Sequence, residues 1–298
     1  MPASRSGLPN GRFVLWIVRL LWVAQVLLVG PAIGQALADQ SRPVQVTGTV
    51  GAWAMWFAAV VATFLPSAVS LTALRMVVPG TILVALAAGA AGASVTAFVV
   101  ALASSLVVTL VAFSGDVGQT FVQRSAYGDE SRLPLRPPGT LLLGPIPLLW
   151  STTAVAVIAG PLLLAARAWL IGSAVTLAAA GLGIVAATRF HRLARRWLVL
   201  VPAGLVVHDA LVLAETVMFP RDDVEAIGLA LADTEAADLT GDALGPAIEI
   251  RLVGTGTVVL AASSSKPAGT ALHVRAILIS PSRPGRLIVE AARRRVGR

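Results

Sequence analysis

One apolar run, from Val50 to Phe113, limits what this chain can fold into. Its 64 residues contain a single charged side chain, that of Arg75. As one helix it would be about 96 Å long at about 1.5 Å per residue, whereas the hydrocarbon core of a membrane is about 30 Å thick. The run must therefore fold back twice, and Pro66 and the small-residue segment 87–94 are the predicted breaks. Three spans follow, at about 50–67, 71–90 and 94–113.

Three further apolar segments complete a predicted α-helical transmembrane bundle of about six spans. The additional spans are about 13–35, 143–165 and 168–188. Only 13% of the 298 residues are charged, against roughly 25% in average soluble proteins, so the composition is that of a membrane protein. An alternative for the first span is a cleaved signal peptide, because Ala36-Leu37-Ala38 has the A-x-A pattern of a cleavage site.

Arginine positions predict which ends of the spans face the cytoplasm, because cytoplasmic loops of membrane proteins carry an excess of Arg and Lys. With the N-terminus inside, the cytoplasmic segments contain Arg5, Arg12, Arg75, Arg124, Arg132, Arg136, Arg189, Arg192, Arg195 and Arg196. The outside loops contain only Arg42 and Arg167. We therefore expect a multi-pass plasma-membrane protein with both termini in the cytoplasm. The net charge of +8 reflects this topology rather than nucleic-acid binding.

Ser114–Gly139 is the only long polar segment in the apolar first two-thirds of the chain. The orientation makes it a cytoplasmic loop, at 114–140, between the fourth and fifth spans. Its prolines restrict the backbone to extended conformations. Five of its side chains are candidates for an interaction surface: Tyr127, Asp129, Glu130, Arg132 and Arg136. The segment is either a stiff connector or a docking surface for the C-terminal domain or for a partner protein.

Residues 191–298 differ in pattern from the predicted transmembrane domain, 1–190. Short runs rich in β-branched residues alternate with turn-forming residues, and Gly204 lies where a hairpin needs a permissive φ angle. Residues 284–295 then predict a helix that closes in three arginines, which suits a helix C-terminus. We expect a small antiparallel β domain with a C-terminal helix.

This order of strands followed by one helix resembles the bacterial pleckstrin-homology-like domains that are fused to membrane helices. The resemblance covers about 190–298 and rests on Arg196–Leu200, which leads to Gly204-Leu205, and on Ile279–Pro281, which leads into the last helix. The whole chain also resembles uncharacterised multi-pass membrane proteins of actinobacteria, by its composition and by the sequence YGDESRLPLRPP at 127–138. Neither resemblance implies a known activity or a catalytic residue.

The sequence lacks residues that several classes of membrane enzyme and transporter require. It contains no Cys, which excludes disulfides and thiolate metal sites. None of the carboxylates that precede residue 191 lies in a predicted span, which argues against proton-coupled transport and aspartyl intramembrane proteolysis. His191, His208 and His273 lie far apart in the sequence, and no nucleophile motif accompanies His208-Asp209. We therefore predict no catalytic residue, no cofactor and no metal ligand.

A second set of arginines predicts a basic face toward anionic lipid, where each basic residue contributes about 1 kcal/mol. The set comprises Arg192, Arg195, Arg196, Arg283, Arg286, Arg293, Arg294 and Arg295. The alternative is a solvated surface whose loops carry charges of opposite sign, because residues 209–249 are rich in Asp and Glu.

These features favour a non-enzymatic membrane scaffold or regulator whose cytoplasmic domain binds a protein partner or anionic lipid. The alternative is a transporter or permease subunit whose path is lined by hydroxyls rather than charges. The hydroxyl side chains that would line such a path are Ser104, Ser105, Ser151, Thr152 and Thr153.

Overall fold

The computed structural model describes residues 11–262 and 269–297, except for the side chain of Arg12. The chain divides into two compact units. The first unit comprises Met1–Phe121 and Leu149–Ala187, and the second comprises Val122–Leu148 and Thr188–Arg298. Arg5, which is one of the arginines in the orientation argument, lies outside the described residues.

Among the described residues, six helical segments are long and apolar enough to cross a membrane. They are Phe13–Ala38, Arg42–Phe64, Ala68–Ala90, Val95–Phe113, Gly139–Ala165 and Trp169–Ala194. The shortest has 19 residues, and its length of about 28 Å matches the hydrocarbon core. The prediction of six apolar helices is therefore confirmed.

Among the first four of these segments, two are each broken into a pair of helices. The first segment consists of α1 (Gly11–Leu28) and α2 (Gly30–Ala38), and the third consists of α4 (Ala68–Val77) and α5 (Gly80–Ala90). The second and fourth segments are the continuous helices α3 (Arg42–Phe64) and α6 (Val95–Phe113). Pro31 and Pro79 lie at the two breaks, where each removes a backbone N–H from the helical hydrogen-bond ladder.

Helix α3 begins at Arg42, whereas the predicted second span begins near residue 50. Ser41 has extended backbone angles and Pro43 lies in the first turn of the helix. Proline is favoured in the first turn because the N–H that it lacks would have no partner there. The connection between α2 and α3, Asp39–Ser41, is therefore only three residues long.

Small side chains bring the helices of the first unit together. Val29, Ala32, Ala85, Ala88 and Ala101 form a buried cluster at the meeting point of α2, α5 and α6. Small residues let helix backbones approach closely, and van der Waals packing then stabilises the bundle where lipid offers little hydrophobic driving force. The alanine- and glycine-rich composition of these spans is thus a packing feature.

Helix α7 (Gly115–Gln123) lies in the central polar stretch and leads out of the first unit. The fifth apolar segment consists of α8 (Gly139–Leu142) and α9 (Pro145–Ala165), and the sixth is α10 (Trp169–Ala194). Gly160 in α9 lies against Thr176 of α10, where a Cβ atom would be 3.1 Å from the Thr176 Cα. This glycine therefore permits the close approach of the two helices.

The second unit contains two four-stranded sheets and a C-terminal helix. The strand orders are β1-β2-β3-β4 and β5-β7-β8-β6. The strands are β1 (Ser131–Pro134), β2 (Trp197–Val201), β3 (Gly204–His208), β4 (Val217–Pro220), β5 (Val224–Leu229), β6 (Ala237–Asp238), β7 (Ile248–Leu260) and β8 (Thr270–Ile279). A 3₁₀ turn, Arg221–Asp223, precedes β5, and α11 (Pro284–Arg294) closes the chain. Neighbouring strands are antiparallel except for β6 and β8, so the expected small β domain with a C-terminal helix is present.

The predicted second domain begins at residue 191, whereas strand β1 of the second unit comes from the central polar stretch. This is the largest difference between the predicted and the observed domain organisation. Strand β1 pairs with β2 in antiparallel register, from Ser131 opposite Leu200 to Pro134 opposite Trp197. Leu133 is 1% exposed, so this strand contributes to the core of the second unit. Proline is tolerated because β1 is an edge strand, where the missing N–H breaks no ladder. Two apolar helices separate β1 from β2 in the chain, and an even number of crossings returns the chain to the same side of a membrane.

Other strand boundaries differ in smaller ways. Residues 248–253 and 257–261 are separate β-rich runs in the sequence, whereas in the structure one strand, β7, extends across them with an irregularity between Arg251 and Gly256. Gly204 has a φ of +155°, and a Cβ there would overlap the carbonyl oxygen of Phe219, so the predicted glycine requirement has a steric cause. The core between the sheets is closed by Leu287 and Ala291 on one face of α11.

Candidate functional site

The turn before β1 is held by hydrogen bonds to the side chains of Gln123 and Glu130. Gln123 Nε2 donates to the Glu130 carbonyl at 2.9 Å, and Gln123 Oε1 accepts from the Arg132 N–H at 2.9 Å. The backbone N–H of Tyr127 donates to Glu130 Oε1 at 2.6 Å. Gly128 has a φ of +56°, which glycine adopts without strain. The turn therefore has a defined conformation, and it presents Tyr127, whose side chain is 84% exposed.

Arg132 lies between the turn and strand β2. Its guanidinium forms an ion pair with Glu130 at 2.7 Å and lies 5.3 Å from the centroid of the Trp197 ring. The other neighbour of that ring is His208, which stacks on it at a centroid distance of 5.3 Å. A cation over an aromatic face is attracted by the ring quadrupole, worth about 0.5–1 kcal/mol at exposed sites. The arrangement fixes the side chain of Arg132 along the first sheet.

Helix α11 is joined to β1 by a group of charged and polar side chains, which we call the β1–α11 cluster: Asp129, Ser131, Glu290 and Arg294. Arg294 Nη1 donates to the Asp129 carbonyl at 2.7 Å, and its Nη2 lies 3.0 Å from Asp129 Oδ1. Arg294 Nε donates to Glu290 Oε1 at 2.7 Å. Ser131 Oγ donates to the same Glu290 oxygen at 2.9 Å. The Arg294 and Glu290 side chains are only 11% and 17% exposed, so their charge-assisted contact is largely desolvated, whereas the Asp129 side chain is 79% exposed.

The cluster changes the acidity of Glu290. Burial alone would raise the pKa of this carboxyl, but hydrogen bonds from Arg293, Arg294 and Ser131 stabilise the ionised form and lower the pKa below its usual value. Glu290 therefore remains ionised throughout the physiological pH range. The carboxylate provides a permanent negative charge between α11 and β1.

Arg136 connects the segment after β1 to two other parts of the second unit. Its backbone N–H donates to the Ser280 carbonyl at 2.8 Å, and its guanidinium donates to Ser280 Oγ and to the Pro246 carbonyl. Burial lowers the pKa of the Arg136 guanidinium from its ordinary value. The Arg136 carbonyl accepts a hydrogen bond of 2.6 Å from Arg196 Nη1. Arg136 thus acts as a structural link within the unit.

The prediction that Arg196 faces anionic lipid is wrong. Its guanidinium forms a bidentate ion pair with Asp209, with Nε to Oδ1 at 2.8 Å and Nη2 to Oδ2 at 2.6 Å. Both side chains are only 1% exposed, so Arg196 cannot contact lipid headgroups. Fork-to-fork geometry of this kind is the strongest form of arginine–carboxylate contact. The pair holds the end of β1 onto the first sheet, because Arg196 also binds the Arg136 carbonyl.

The pairing of Arg196 with Asp209 is the feature that sequence reasoning missed. The sequence placed Asp209 beside His208 and suggested comparison with a catalytic pair. In the structure His208 Nδ1 lies 2.8 Å from Thr216 Oγ1, whereas Asp209 binds Arg196. Burial and then the charge of Arg195 lower the pKa of His208, which favours its neutral form. A buried arginine and a buried aspartate thirteen residues apart carry no local sequence signal that separates them from surface charges.

The other predicted basic residues have different environments. Arg293 forms an ion pair of 2.6 Å with Glu290, although its own side chain is 67% exposed. Arg192 Nη2 lies 3.5 Å from the Ala210 carbonyl, at the end of α10. Five of the predicted lipid-facing residues are exposed in the second unit: Arg192, Arg195, Arg283, Arg293 and Arg295. Arg286 is half-buried on α11.

Three hydroxyls of the alternative transport path, those of Ser104, Thr152 and Thr153, bind backbone carbonyls. Ser104 Oγ donates to Ala101 and Thr153 Oγ1 donates to Leu149, at 3.1 Å and 2.6 Å. Thr152 Oγ1 donates to Leu149 at 3.2 Å. Ser105 Oγ is buried without a hydrogen-bond partner among the described residues. Within residues 11–262 and 269–297, no group of three or more His, Asp or Glu side chains is arranged to hold a metal ion.

Comparisons of the chain with protein-family models, with curated proteins and with solved structures give no match.

Proposed function

We propose that this protein is a non-enzymatic membrane scaffold or regulator, and that its second unit is a cytoplasmic, pleckstrin-homology-like domain that binds a partner protein. The six apolar helices make the first unit the membrane anchor. Two sheets closed by a C-terminal helix support the pleckstrin-homology-like assignment. The binding surface is the turn around Tyr127.

The pairing of β1 with β2 is the observation that carries this proposal. Because β1 comes from the stretch between the fourth and fifth apolar helices, the chain passes between the two units three times, near residues 121, 148 and 187. A domain attached by one linker could move freely with respect to its anchor. Here we expect a displacement of α6 or α9 to be transmitted to β1 through the segments that connect them, 114–130 and 135–144. That connection suits a protein that relays or restrains a partner at the membrane.

The surface around Tyr127 has the properties of a protein contact. Tyr127 is an exposed aromatic side chain on a turn whose conformation is fixed by Gln123 and Glu130. Tyrosine is enriched at binding hot spots because it buries a large area at low entropic cost. Anionic lipid is the weaker ligand, since Arg196 is buried and the guanidinium groups of Arg293 and Arg294 already bind Glu290.

The orientation of the domain can be tested with single cysteines, because the chain contains none of its own. Tyr127→Cys and Gln40→Cys place a thiol on exposed positions of the central stretch and of the first loop. We expect a membrane-impermeant maleimide to label Gln40→Cys in intact cells and Tyr127→Cys only after the membrane is permeabilised. Labelling of Tyr127→Cys in intact cells would overturn the cytoplasmic assignment.

The binding surface can be tested by photocrosslinking in native membranes. A benzophenone amino acid at position 127 should give one discrete protein adduct, whereas the same group at Val253, which is 70% exposed in the same unit, should not. Arg294→Met breaks the β1–α11 cluster and should reduce the adduct. Equal amounts of protein adduct at both positions, or crosslinks from position 127 to lipid alone, would contradict a partner-binding surface at Tyr127.

A further inference from the structure

The first unit contains a cavity of about 380 Å³ that the proposed function does not use. Its walls come from four helices: α1 and α2 from Trp22 to Ala38, α3 from Gln45 to Trp56, and Thr81 of α5. Cavities of roughly 300–1,000 Å³ are the usual size of small-molecule sites. All of these helices belong to segments apolar enough to lie in a membrane.

The cavity lies at the two helix breaks. Val29 and Gly30 of the first break line it, and Thr81 follows the second break at Pro79. Thr81 Oγ1 donates to the Val78 carbonyl at 2.8 Å, so the break is satisfied internally. In membrane proteins, interrupted helices mark positions where the bundle leaves room for a ligand.

The walls select an apolar ligand. Trp22, Trp53 and Trp56 line one part, and the lining contains no ionisable side chain. The indole N–H groups of Trp22 and Trp56 donate to each other's backbone carbonyls, at 2.9 Å and 3.3 Å. They therefore present ring faces rather than free donors.

The two glutamine side chains of the lining are also engaged. Gln25 Nε2 donates to the Leu21 carbonyl at 3.2 Å, and Gln25 Oε1 accepts from Ser104 Oγ at 3.4 Å. Gln45 Nε2 donates to the carbonyls of Ala38 and Gln40, at 3.1 Å and 3.0 Å. A charged headgroup inside the cavity would find no counter-charge, and its desolvation would be unfavourable.

The shape of the cavity separates a hydrocarbon chain from a protein helix. The lining from Trp22 to Ala38 follows α1 and α2 for about 24 Å at about 1.5 Å per residue, so the cavity is elongated along these two helices. A helix about 10 Å across and of that length would occupy about 1,900 Å³, whereas the empty space at the site is about 1,030 Å³ including its open side. A second protein helix would therefore fit only in part, with most of its backbone outside the cavity. One extended hydrocarbon chain fits within it.

We propose that this cavity binds one hydrocarbon chain of a membrane lipid, with the headgroup at the end near the Asp39–Ser41 connection and the chain directed toward Trp22 and Trp56. The surrounding bilayer supplies such chains at high concentration. Phospholipid acyl chains and isoprenoid chains share this chemistry. The exposed side chains of Asp39 and Arg42 lie beside the headgroup end, outside the cavity.

The proposal can be tested by replacing a glycine that lines the cavity with a larger residue. Gly34 lines the cavity, and a Cβ placed there has no atom within 4 Å, so we expect the side chain of Gly34→Leu to occupy cavity space without displacing its neighbours. Gly181 of α10 has equally open surroundings and does not line the cavity, so Gly181→Leu is the matched control. Both changes replace glycine by a better helix former, which keeps the helices intact.

Native mass spectrometry of the full chain, released from lipid nanodiscs, measures the result. We expect wild type and Gly181→Leu to retain one lipid. In Gly34→Leu, the fraction of protein molecules that carry this lipid should fall by at least about tenfold. Re-addition of dipalmitoyl phosphatidylglycerol or of geranylgeraniol to delipidated protein distinguishes the two lipid sources by mass. Absence of a retained lipid in wild type, or equal retention by Gly34→Leu, would overturn the proposal. Loss of a protein dimer in Gly34→Leu with lipid retention unchanged would instead assign this face to a second copy of the chain.

Discussion

The two units of this protein bury arginine in different ways. In the first unit, Arg19 Nη2 donates to the Thr63 carbonyl at 2.8 Å, and the guanidinium lies 4.3 Å from the centroid of the Phe64 ring. Both partners belong to the last turn of α3. The C-terminal carbonyls of a helix lack intrahelical donors and carry the negative end of its dipole. The end of a helix thus takes the place of a carboxylate.

Arg75 repeats this arrangement at another helix end. Its Nε lies 3.4 Å from the Ala112 carbonyl, and its guanidinium lies 5.4 Å from the centroid of the Phe113 ring. These are the last residues of α6. The sequence of the first unit supplies only two carboxylates, Asp39 and Asp116. A carbonyl and a ring are the partners that such an apolar sequence can offer.

The second unit, by contrast, pairs its buried arginines with carboxylates. Arg196 binds Asp209, and Arg294 binds Asp129 and Glu290. An ion pair in the interior is sensitive to the loss of one partner, because the other charge is then left buried and unpaired. We therefore expect the second unit to depend on its individual charges and the first unit to tolerate their removal.

The largest expected effect follows from Asp209→Asn. The change leaves the Arg196 charge without its counter-charge in the core, which costs about 3–5 kcal/mol in comparable buried pairs. Hydrogen exchange of the full chain should show faster exchange in β2 and β3. The double variant Arg196→Met with Asp209→Leu removes both charges and should recover most of the loss. If the double variant is as unstable as the single one, packing rather than charge explains the site.

Glu290→Gln has a smaller expected effect in the same unit. The amide keeps the shape of the side chain but removes the negative charge that receives Arg293, Arg294 and Ser131. Hydrogen bonds to charged groups contribute about 1.5–3 kcal/mol, and partial exposure reduces this to about 1–2 kcal/mol. Hydrogen exchange should increase in α11 and β1, while α3 and α6 remain protected. Equal protection of α11 in both proteins would show that apolar packing alone holds the helix.

The pH dependence gives an independent measure of the β1–α11 cluster. The pKa of Glu290 is lower in the folded chain than its ordinary value of 4.5. Its stabilisation is therefore complete above that ordinary value and is lost as the pH falls through the lower folded value. The difference in melting temperature between wild type and Glu290→Gln should be constant from pH 7 to 5 and should shrink at more acidic pH. A difference that persists at the acidic end would mean that ionisation of Glu290 does not stabilise the fold.

The features that the sequence predicted well are those with a local signal. Apolar length predicted six helices, and the glycine requirement at Gly204 and the basic end of α11 were visible in short segments. The assignment of the central stretch was harder, because Ser131–Pro134 contains proline and pairs with a strand more than sixty residues away. Only the alternation of buried Leu133 and Leu135 with polar neighbours indicated a strand. The Arg196–Asp209 pair has no local pattern at all, so the sequence assigned Arg196 to the surface.

The smallest expected effect is in the first unit, from Arg19→Met. The change removes a charge-assisted hydrogen bond, which stabilises the fold by about 1.5–3 kcal/mol. It also removes the contact of the guanidinium with the Phe64 ring, which contributes about 0.5–2 kcal/mol. In the opposite direction, methionine avoids the unfavourable free energy of placing a charge in an apolar segment, which is about 2.5–3.5 kcal/mol at the centre of a membrane. Arg19 Nε is buried without a hydrogen-bond partner among the described residues, which adds to that cost. The midpoints of these ranges nearly cancel and leave an expected net loss of roughly 0.5 kcal/mol, and thermal unfolding of the full chain in detergent would measure it. Arg19→Ala, which also removes the aliphatic packing against Phe64, is the control and should be less stable than Arg19→Met. A loss for Arg19→Met as large as that for Asp209→Asn would show that a helix end and a ring hold an arginine as firmly as a carboxylate does, and the contrast between the two units would fail.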